Sequence, residues 1–465
     1  MTRTFHIRTF GCQMNVHDSE RLAGLLIADG LEPTDDVEHA DVVLLNTCCI
    51  RENADNKLYG YLGWLKSLRD SRPGMQIAVG GCLAQNDRDS VRARAGHVDV
   101  VFGTHNLTRA PALLRQAASE GPVVEILDAP AAGNGQSLPL ALSAARELPY
   151  AAWVTIQMGC DNSCAFCIVP HVRGPEASRP FADLVAEVVG LSARGVTEVT
   201  LLGQNVNSYG RDLTRRRPLF ASLLRAVGAV EGIRRVRFTS PHPKDLRPET
   251  IEAMAETPAV CEHLHLPLQS GSDRVLSAMR RGYRAERYLQ RLAAARAAID
   301  DLAVTTDIIV GFPGETDPDF ERTLEVAAEA SYDSAYTFIF SPRPGTAAAA
   351  MAAEFVPEEV VAERFERLRL VVERSALVRH RARIGRVEEV MVEGPSTRDP
   401  EMLTGRTRQN KLVHFPPPAT EAPGPGAYAE VRVTDAAPHH LRGELVRVTA
   451  PARTRTRTRI PVSAR

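Results

Sequence analysis

Three cysteines fall within eight residues in Gly159-Cys160-Asp-Asn-Ser-Cys164-Ala-Phe166-Cys167, directly after an apolar run, Trp153–Met158, that reads as a strand. This CxxxCxxC constrains the chain more than any other feature. Three thiolates so close together can hold a metal centre, yet they cannot close a four-cysteine site by themselves. A 4Fe-4S cluster takes one ligand per iron, so three cysteines leave one iron open to a substrate or cofactor. Zinc sites use paired CxxC or Cys/His spacings, and unconnected core thiols do not crowd at one strand end. The segment reads as the holder of an iron–sulfur cluster.

That strand opens a series. Further strands are expected at Glu198–Gly203, Arg235–Thr239, His263–Leu268, Thr305–Val310 and Ala335–Phe340, with helical patterns between them at about 180–194, 218–230, 248–256, 284–299 and 317–330. Six βα units in roughly 190 residues predict a barrel or partial barrel with its site at the C-terminal ends of the strands. The first part of the chain has the same rhythm. Phe5–Phe10, Asp41–Asn46, Gln76–Val79 and Val98–Phe102 read as strands of a parallel α/β sheet, with helices such as Ser19–Asp29 and Asn53–Ser71 between them.

An Ala-, Pro- and Gly-rich stretch, Asp128 to Pro149, reads as a linker. A charged helix is expected from Pro357 to Arg383. From Gly385 the texture changes to short β-like runs at Val387–Val392, Lys411–Phe415, Tyr428–Val433 and Glu444–Val448, a small all-β module. The chain is thus an α/β protein with an N-terminal domain over 3–119, a linker over 120–145 and a core over 146–375. A β module over 376–446 and a tail over 447–465 complete it.

A second set of cysteines emerges from this organisation. Gly11-Cys12 follows the first strand, Thr47-Cys48 the second and Gly80-Gly81-Cys82 the third. All three cysteines therefore stand just beyond the C-terminal ends of strands in one parallel sheet, the edge where open α/β sheets bind ligands. Isolated buried cysteines would show no such regularity. A second three-cysteine cluster, again with an open iron, is expected.

The net charge of −1 suggests no acidic partner, but its distribution does. From Ala376 to Arg465 there are 16 Lys and Arg against 9 Asp and Glu, and Arg453-Thr-Arg-Thr-Arg-Thr-Arg459 lies near the end. A basic C-terminal fifth suits nucleic acid, though such runs are also found as solvated tails. Eight cysteines are too few for a disulfide scaffold. With no signal-peptide pattern and no long apolar span, a cytoplasmic location without a membrane partner is expected.

CxxxCxxC with an aromatic before the third cysteine, at the mouth of a βα barrel, resembles the radical S-adenosylmethionine enzymes. The resemblance implies that S-adenosylmethionine chelates the open iron and that an electron from the cluster cleaves it to a 5′-deoxyadenosyl radical. It places Phe166 and the strand-end Gly203, Gln204 and Asn205 in contact with that cofactor. A second cluster and a trailing β module narrow the resemblance to the methylthiotransferases, whose β module is the RNA-binding TRAM. It extends over about residues 3 to 448 and rests on Asn46-Thr-Cys48, Arg51-Glu-Asn-Ala, Cys167-Ile-Val-Pro170, Arg173-Gly174, Ser178-Arg179, His265-Leu-Pro-Leu-Gln-Ser-Gly271, Asp307-Ile-Ile-Val-Gly-Phe-Pro-Gly-Glu-Thr316 and Ser341-Pro-Arg-Pro-Gly-Thr346.

Thr9-Phe-Gly-Cys12-Gln-Met-Asn15, Leu201–Tyr209 and Phe102-Gly-Thr-His-Asn are similar to the group acting on isopentenyladenosine in tRNA. The resemblance implies two 4Fe-4S clusters, a radical-generating one on Cys160, Cys164 and Cys167 and a sulfur-holding one on Cys12, Cys48 and Cys82. It implies conversion of the adenine C2–H to C2–SCH₃ at tRNA position 37, with an electron donor and a sulfur source that the sequence does not identify. The segment Gly405-Arg-Thr-Arg-Gln-Asn-Lys411-Leu-Val-His-Phe415 is expected to offer a basic surface to tRNA phosphates. Two cysteines stand outside the pattern. Cys49 follows Cys48 where relatives carry a small residue, and the Asn-Thr-Cys match favours Cys48 as the ligand. Cys261 matches no ligand position and is expected to be a buried thiol.

Overall fold

The computed structural model describes residues 2–48, 52–128, 144–214, 217–418, 421–452 and 462–464. Apolar runs with residues of both parities buried form its first sheet. Val42 and Leu44 point to one face and Val43 and Leu45 to the other, as strand alternation requires. Helices cover both faces. Leu22 and Leu26 of Gln13–Ala28 and Leu113 of Ala110–Glu120 meet the first face, and Leu58, Leu62 and Leu65 of Glu52–Ser71 meet the second.

The strands of this sheet are β1 (Thr4–Phe10), β2 (Glu32–Pro33), β3 (Val42–Thr47), β4 (Gln76–Gly81), β5 (Val100–Phe102) and β6 (Val123–Glu125), paired in the order β2-β1-β3-β4-β5-β6. All the pairings are parallel. Strand β6 was not anticipated, and it carries the domain past residue 120, where the linker was expected to begin. Residues 129–143 of that linker lie outside the described residues.

The core forms two three-stranded parallel sheets. β7 (Ala151–Thr155), β10 (Glu198–Leu202) and β11 (Arg235–Phe238) make one, with a small antiparallel pair, β8 (Gln157–Met158) and β9 (Ala177–Ser178), at its upper end. β12 (His263–His265), β13 (Ala303–Val310) and β14 (Ser334–Ile339) make the other. A parallel bridge between Val236 and Val260 joins them into an open partial barrel, as the six βα units predict. Helices lie outside it, close to their expected bounds, for example Pro248–Glu256 and Asp317–Ala330. Among the described residues, no helix is long and apolar enough to cross a membrane.

Helix Glu358–Arg381 packs Val361, Leu368 and Val372 on the core and leads to a closed five-stranded barrel. Its strands are β15 (Val387–Pro395), β16 (Leu403–Thr407), β17 (Leu412–Phe415), β18 (Tyr428–Ala436) and β19 (Leu441–Ala450). β19 runs beyond residue 446, so the module extends into the expected tail. A further short strand, β20 (Val462–Ala464), pairs in parallel with β1. The end of the chain therefore returns to the first sheet, while Arg453–Arg459 lie outside the described residues.

The β module sits against the starting ends of the core strands, opposite their cysteine-bearing ends. Arg235, fully buried at the start of β11, donates to Arg406 O at 2.7 Å and to Glu389 Oε1 at 2.9 Å. Arg237 donates to Thr407 O and Arg408 O, both at 2.9 Å. Arg408 in turn reaches Glu262 at 2.7 Å, and Lys411 reaches Asp333 at 2.6 Å. This corrects the expectation of a basic RNA surface at Gly405–Phe415. Lys411 is 4% exposed, and the segment forms the seam between module and core.

Candidate metal centre

Strands β1, β3 and β4 are neighbours, so Cys12, Cys48 and Cys82 emerge side by side from one sheet edge. A network of buried amides joins the three strand ends. Asn15 Oδ1 accepts from the Cys12 N–H at 3.4 Å and from the Cys12 thiol at 3.3 Å. Asn15 Nδ2 donates to Thr47 O at 3.2 Å, Asn46 Nδ2 to Asn15 O at 2.8 Å, and Thr47 Oγ1 to Gly80 O at 2.8 Å. These bonds explain physically why Asn15, Asn46 and Thr47 accompany the cysteines. Gly11 completes the packing: a Cβ there would come within 2.8 Å of Cys48 Cβ. Cys12 accepts a hydrogen bond from the Cys48 thiol, which with the nearby Arg173 charge lowers the Cys12 pKa against the opposing effect of burial. Cys49 lies outside the described residues.

The second triad follows β8. Gly159, at φ +75°, has its Cα against the carbonyl of Pro175, where a Cβ would overlap the oxygen, so only glycine fits before Cys160. Cys160 N donates to Gly174 O at 3.1 Å, and Cys167 N to Cys164 O at 3.1 Å. The thiols are near enough to act on one another electrostatically. Burial raises the pKa of Cys160, and that of Cys167 to about 12, and the charge of Cys164 adds to both shifts. Such thiols ionise when a cation takes them as ligands. Arg281, buried, donates from Nη1 to Cys164 Sγ at 3.3 Å. Among the described residues, no three His, Cys, Asp or Glu side chains converge closely enough to hold a single metal ion.

Phe166 is half-buried against Ala165, Met279, Phe312 and Ala348. Gly203, Gln204 and Asn205 lie at the end of β10, where Gly203 touches Gln157. Asn205 Nδ2 donates to Asp245 Oδ2 at 2.8 Å, so its amide also anchors the turn. The side-chain oxygens of Gln157, Gln204, Asn205 and Gln269 are buried without a hydrogen-bond partner. Four orphaned acceptors around the barrel's upper end suit a ligand that brings its own N–H or O–H donors, as an amino acid ammonium group does. With two sets of three thiols at strand ends, the donor set fits iron–sulfur clusters and S-adenosylmethionine.

Three features of the site were not assigned from the sequence. Asp18 pairs with Arg173 at 2.8 Å with both side chains buried, Arg281 meets Cys164, and both ring nitrogens of His105 are buried beside Gly174 without partners. Two of these residues stand in segments that carry the family resemblance, Arg173 in Arg173-Gly174 and His105 in Phe102-Gly-Thr-His-Asn, but the segments alone assign them no contact. Cys261 is buried, as expected, and burial raises its pKa.

Residues 4–103 match Uncharacterized protein family UPF0004, residues 154–327 the Radical SAM superfamily, and residues 381–446 the TRAM domain. The chain is 54% identical over 456 residues to tRNA-2-methylthio-N(6)-dimethylallyladenosine synthase 1 of Mycobacterium marinum, covering 94% of this chain and 85% of the relative. It is 53% identical over 467 residues to the synthase of Nocardia farcinica, covering 98% of this chain and 91% of that one. The chain belongs to the tRNA-2-methylthio-N(6)-dimethylallyladenosine synthases. Among solved structures, this synthase shares its fold with TsrM, a radical S-adenosylmethionine methyltransferase of Kitasatospora setae solved with cobalamin and a [4Fe-4S] cluster bound. The TM-score is 0.53 at 13% identity, over 75% of this chain and 74% of that one.

Proposed function

We propose that this enzyme methylthiolates C2 of N6-isopentenyladenosine in tRNA, using two iron–sulfur clusters held by Cys160, Cys164 and Cys167 and by Cys12, Cys48 and Cys82. The observation that carries the reading is the pair of cysteine triads at strand ends of two adjoining domains. When bound, a reduced cluster with S-adenosylmethionine supplies the one-electron chemistry that an aromatic C–H requires, since that carbon has neither an acidic proton nor a leaving group. The chain's own residues provide the setting. Arg281 places a positive charge and an N–H donor against the Cys164 sulfur. The orphaned oxygens of Gln157, Gln204 and Gln269 would accept from the N–H or O–H donors of the bound cofactor.

RNA has a surface beside this site. Arg280, Arg284 and Arg287 stand exposed around a surface cavity of about 880 Å³ that Tyr283 also lines, and with Arg274 they outnumber its carboxylates, Asp273 and Glu286. Cations so placed suit phosphates on the approach to the barrel. On the open side of the barrel Tyr336 is 57% exposed, its ring 6.2 Å from that of His265, which lies 3.4 Å from Asp307. An exposed aromatic face there gives an unstacked adenine a partner.

The reading is tested by anaerobic reconstitution of the full chain with iron and sulfide. It is then incubated with isopentenylated tRNA, S-adenosylmethionine and dithionite, and the nucleosides are analysed by mass spectrometry. A methylthio-isopentenyladenosine product is expected. Iron and sulfide incorporation without that product, but with methylthiolated threonylcarbamoyladenosine or ribosomal protein, would reassign the substrate.

A further inference from the structure

Arg173 belongs to the core by sequence and to the N-terminal cysteines by position. It ends helix Val169–Arg173, six residues after Cys167. Val172 of that helix packs in one apolar cluster with Cys82, Leu83 and Ala84, and Thr104 Oγ1 ties the helix to the N-terminal domain through Val172 O at 2.6 Å. The Arg173 side chain is thus delivered across the domain boundary to the edge that bears Cys12, Cys48 and Cys82.

Its hydrogen bonding is half complete. Nη2 donates to Asp18 Oδ2 at 2.8 Å, which fixes the plane of the guanidinium, while Nη1 is buried and has no partner. Arg173 as a whole is only 4% exposed. Buried guanidinium nitrogens are normally paired, and an orphan within electrostatic reach of Cys12 and Cys82 calls for an acceptor supplied by a ligand. The charge environment agrees. Burial opposes the charge on Arg173, but Cys82, Asp18 and Cys12 outweigh it and hold the guanidinium protonated.

We propose that Arg173 is a positioning residue for the N-terminal centre, donating from its free Nη1–H to a sulfur of the cluster on Cys12, Cys48 and Cys82 and thereby raising that cluster's reduction potential. The inference rests on the reading of those three cysteines as ligands. Hydrogen bonds to the sulfurs and nearby positive charge both favour the reduced cluster, and outer-shell donors also fix how a centre is oriented. Because the donor arrives on the segment that also carries Cys167, the two cysteine sets are mechanically joined by six residues of chain.

The test uses the full chain with Cys160, Cys164 and Cys167 replaced by Ala, so that the N-terminal centre is the one observed by electron paramagnetic resonance after anaerobic reconstitution. Into this parent go Arg173→Lys, Asp18→Asn, and the charge-neutral double change Arg173→Met with Asp18→Asn. Expected is a midpoint potential lower than the parent's in Arg173→Lys, which keeps the charge but loses the planar fork, and lower still in the double variant. Asp18→Asn alone, which removes a negative charge and keeps the arginine, moves it upward. An altered spectrum of the reduced cluster accompanies each shift. A parent that takes up no iron would sink the ligand reading itself. A parent that takes up iron, with Arg173→Lys unchanged in potential and spectrum, would overturn the role of Arg173 and leave the ligands standing.

Discussion

Lys411 Nζ lies 2.6 Å from Asp333 Oδ1, and both side chains are buried between the β module and the core. Asp333 Oδ2 also accepts from the Val304 N–H at 2.9 Å, so the carboxylate is held by both partners of the seam. Removing one member of such a pair leaves an uncompensated buried charge, at a cost of about 3–5 kcal/mol. Lys411→Met is therefore expected to destabilise the enzyme by that order, and adding Asp333→Asn should recover part of the loss. Urea unfolding of the three proteins measures it. A lysine serving RNA would instead leave stability unchanged and weaken tRNA binding.

Cysteine replacements separate the two centres. Cys160→Ala should lose about half of the iron, about four atoms per chain, and all formation of 5′-deoxyadenosine. Cys12→Ala and Cys82→Ala should lose a similar share yet still cleave S-adenosylmethionine. Iron and sulfide determination with chromatography of 5′-deoxyadenosine decides the point. A wild-type iron content in Cys12→Ala would remove the N-terminal assignment.

Arg284 and Arg287 should contribute to RNA affinity through charge alone. The double change Arg284→Glu with Arg287→Glu is expected to weaken tRNA binding. The slope of log K against log salt should fall by about one for each phosphate that is no longer neutralised. Binding titrations at two or more salt concentrations read the slope. An unchanged slope would place the RNA elsewhere.

Tyr336 should act on the base and not on the backbone. Tyr336→Ala is expected to cost about 1–3 kcal/mol of binding, the usual worth of base–aromatic stacking, with the salt slope kept. Tyr336→Phe should be close to wild type. Equal affinity for all three proteins would show that the exposed ring does not meet the substrate.

Glu20 is buried, and burial raises its pKa to about 7 despite the N–H it accepts from Glu147. The folded state thus binds a proton that the unfolded chain releases near pH 4.5. Stability contributed by this group falls as pH rises from about 4.5 through 7, because the unfolded state binds fewer protons over that window. Glu20→Gln keeps the acceptor and removes the titration. Its stabilising effect should be larger at pH 8 than at pH 5 by about 2 kcal/mol, as measured by denaturant midpoints at the two values.

The cysteine positions were legible because strand, glycine and cysteine adjoin in sequence, and parallel pairing of β1, β3 and β4 then aligns them without further information. The helices of the core were legible for the same local reason. What escaped was decided by distant partners. Leu403–Thr407 carries little apolar alternation and becomes a strand because Gly405 lets Met391 O approach where a Cβ would stand 2.4 Å from it. Arg408 and Lys411 look like surface cations until Glu262 and Asp333, well over 70 residues away, arrive to pair with them. Burial of a charge depends on such partners, and local composition does not encode them.

The seam between module and core is made of buried guanidinium, ammonium and carboxylate groups bonded to one another and to backbone carbonyls. Bulk ions screen such contacts far less than they screen an exposed phosphate–arginine pair. High ionic strength should accordingly strip co-purifying RNA from the enzyme while the joint holds, so nucleic-acid-free protein is obtainable by a salt wash without loosening the architecture.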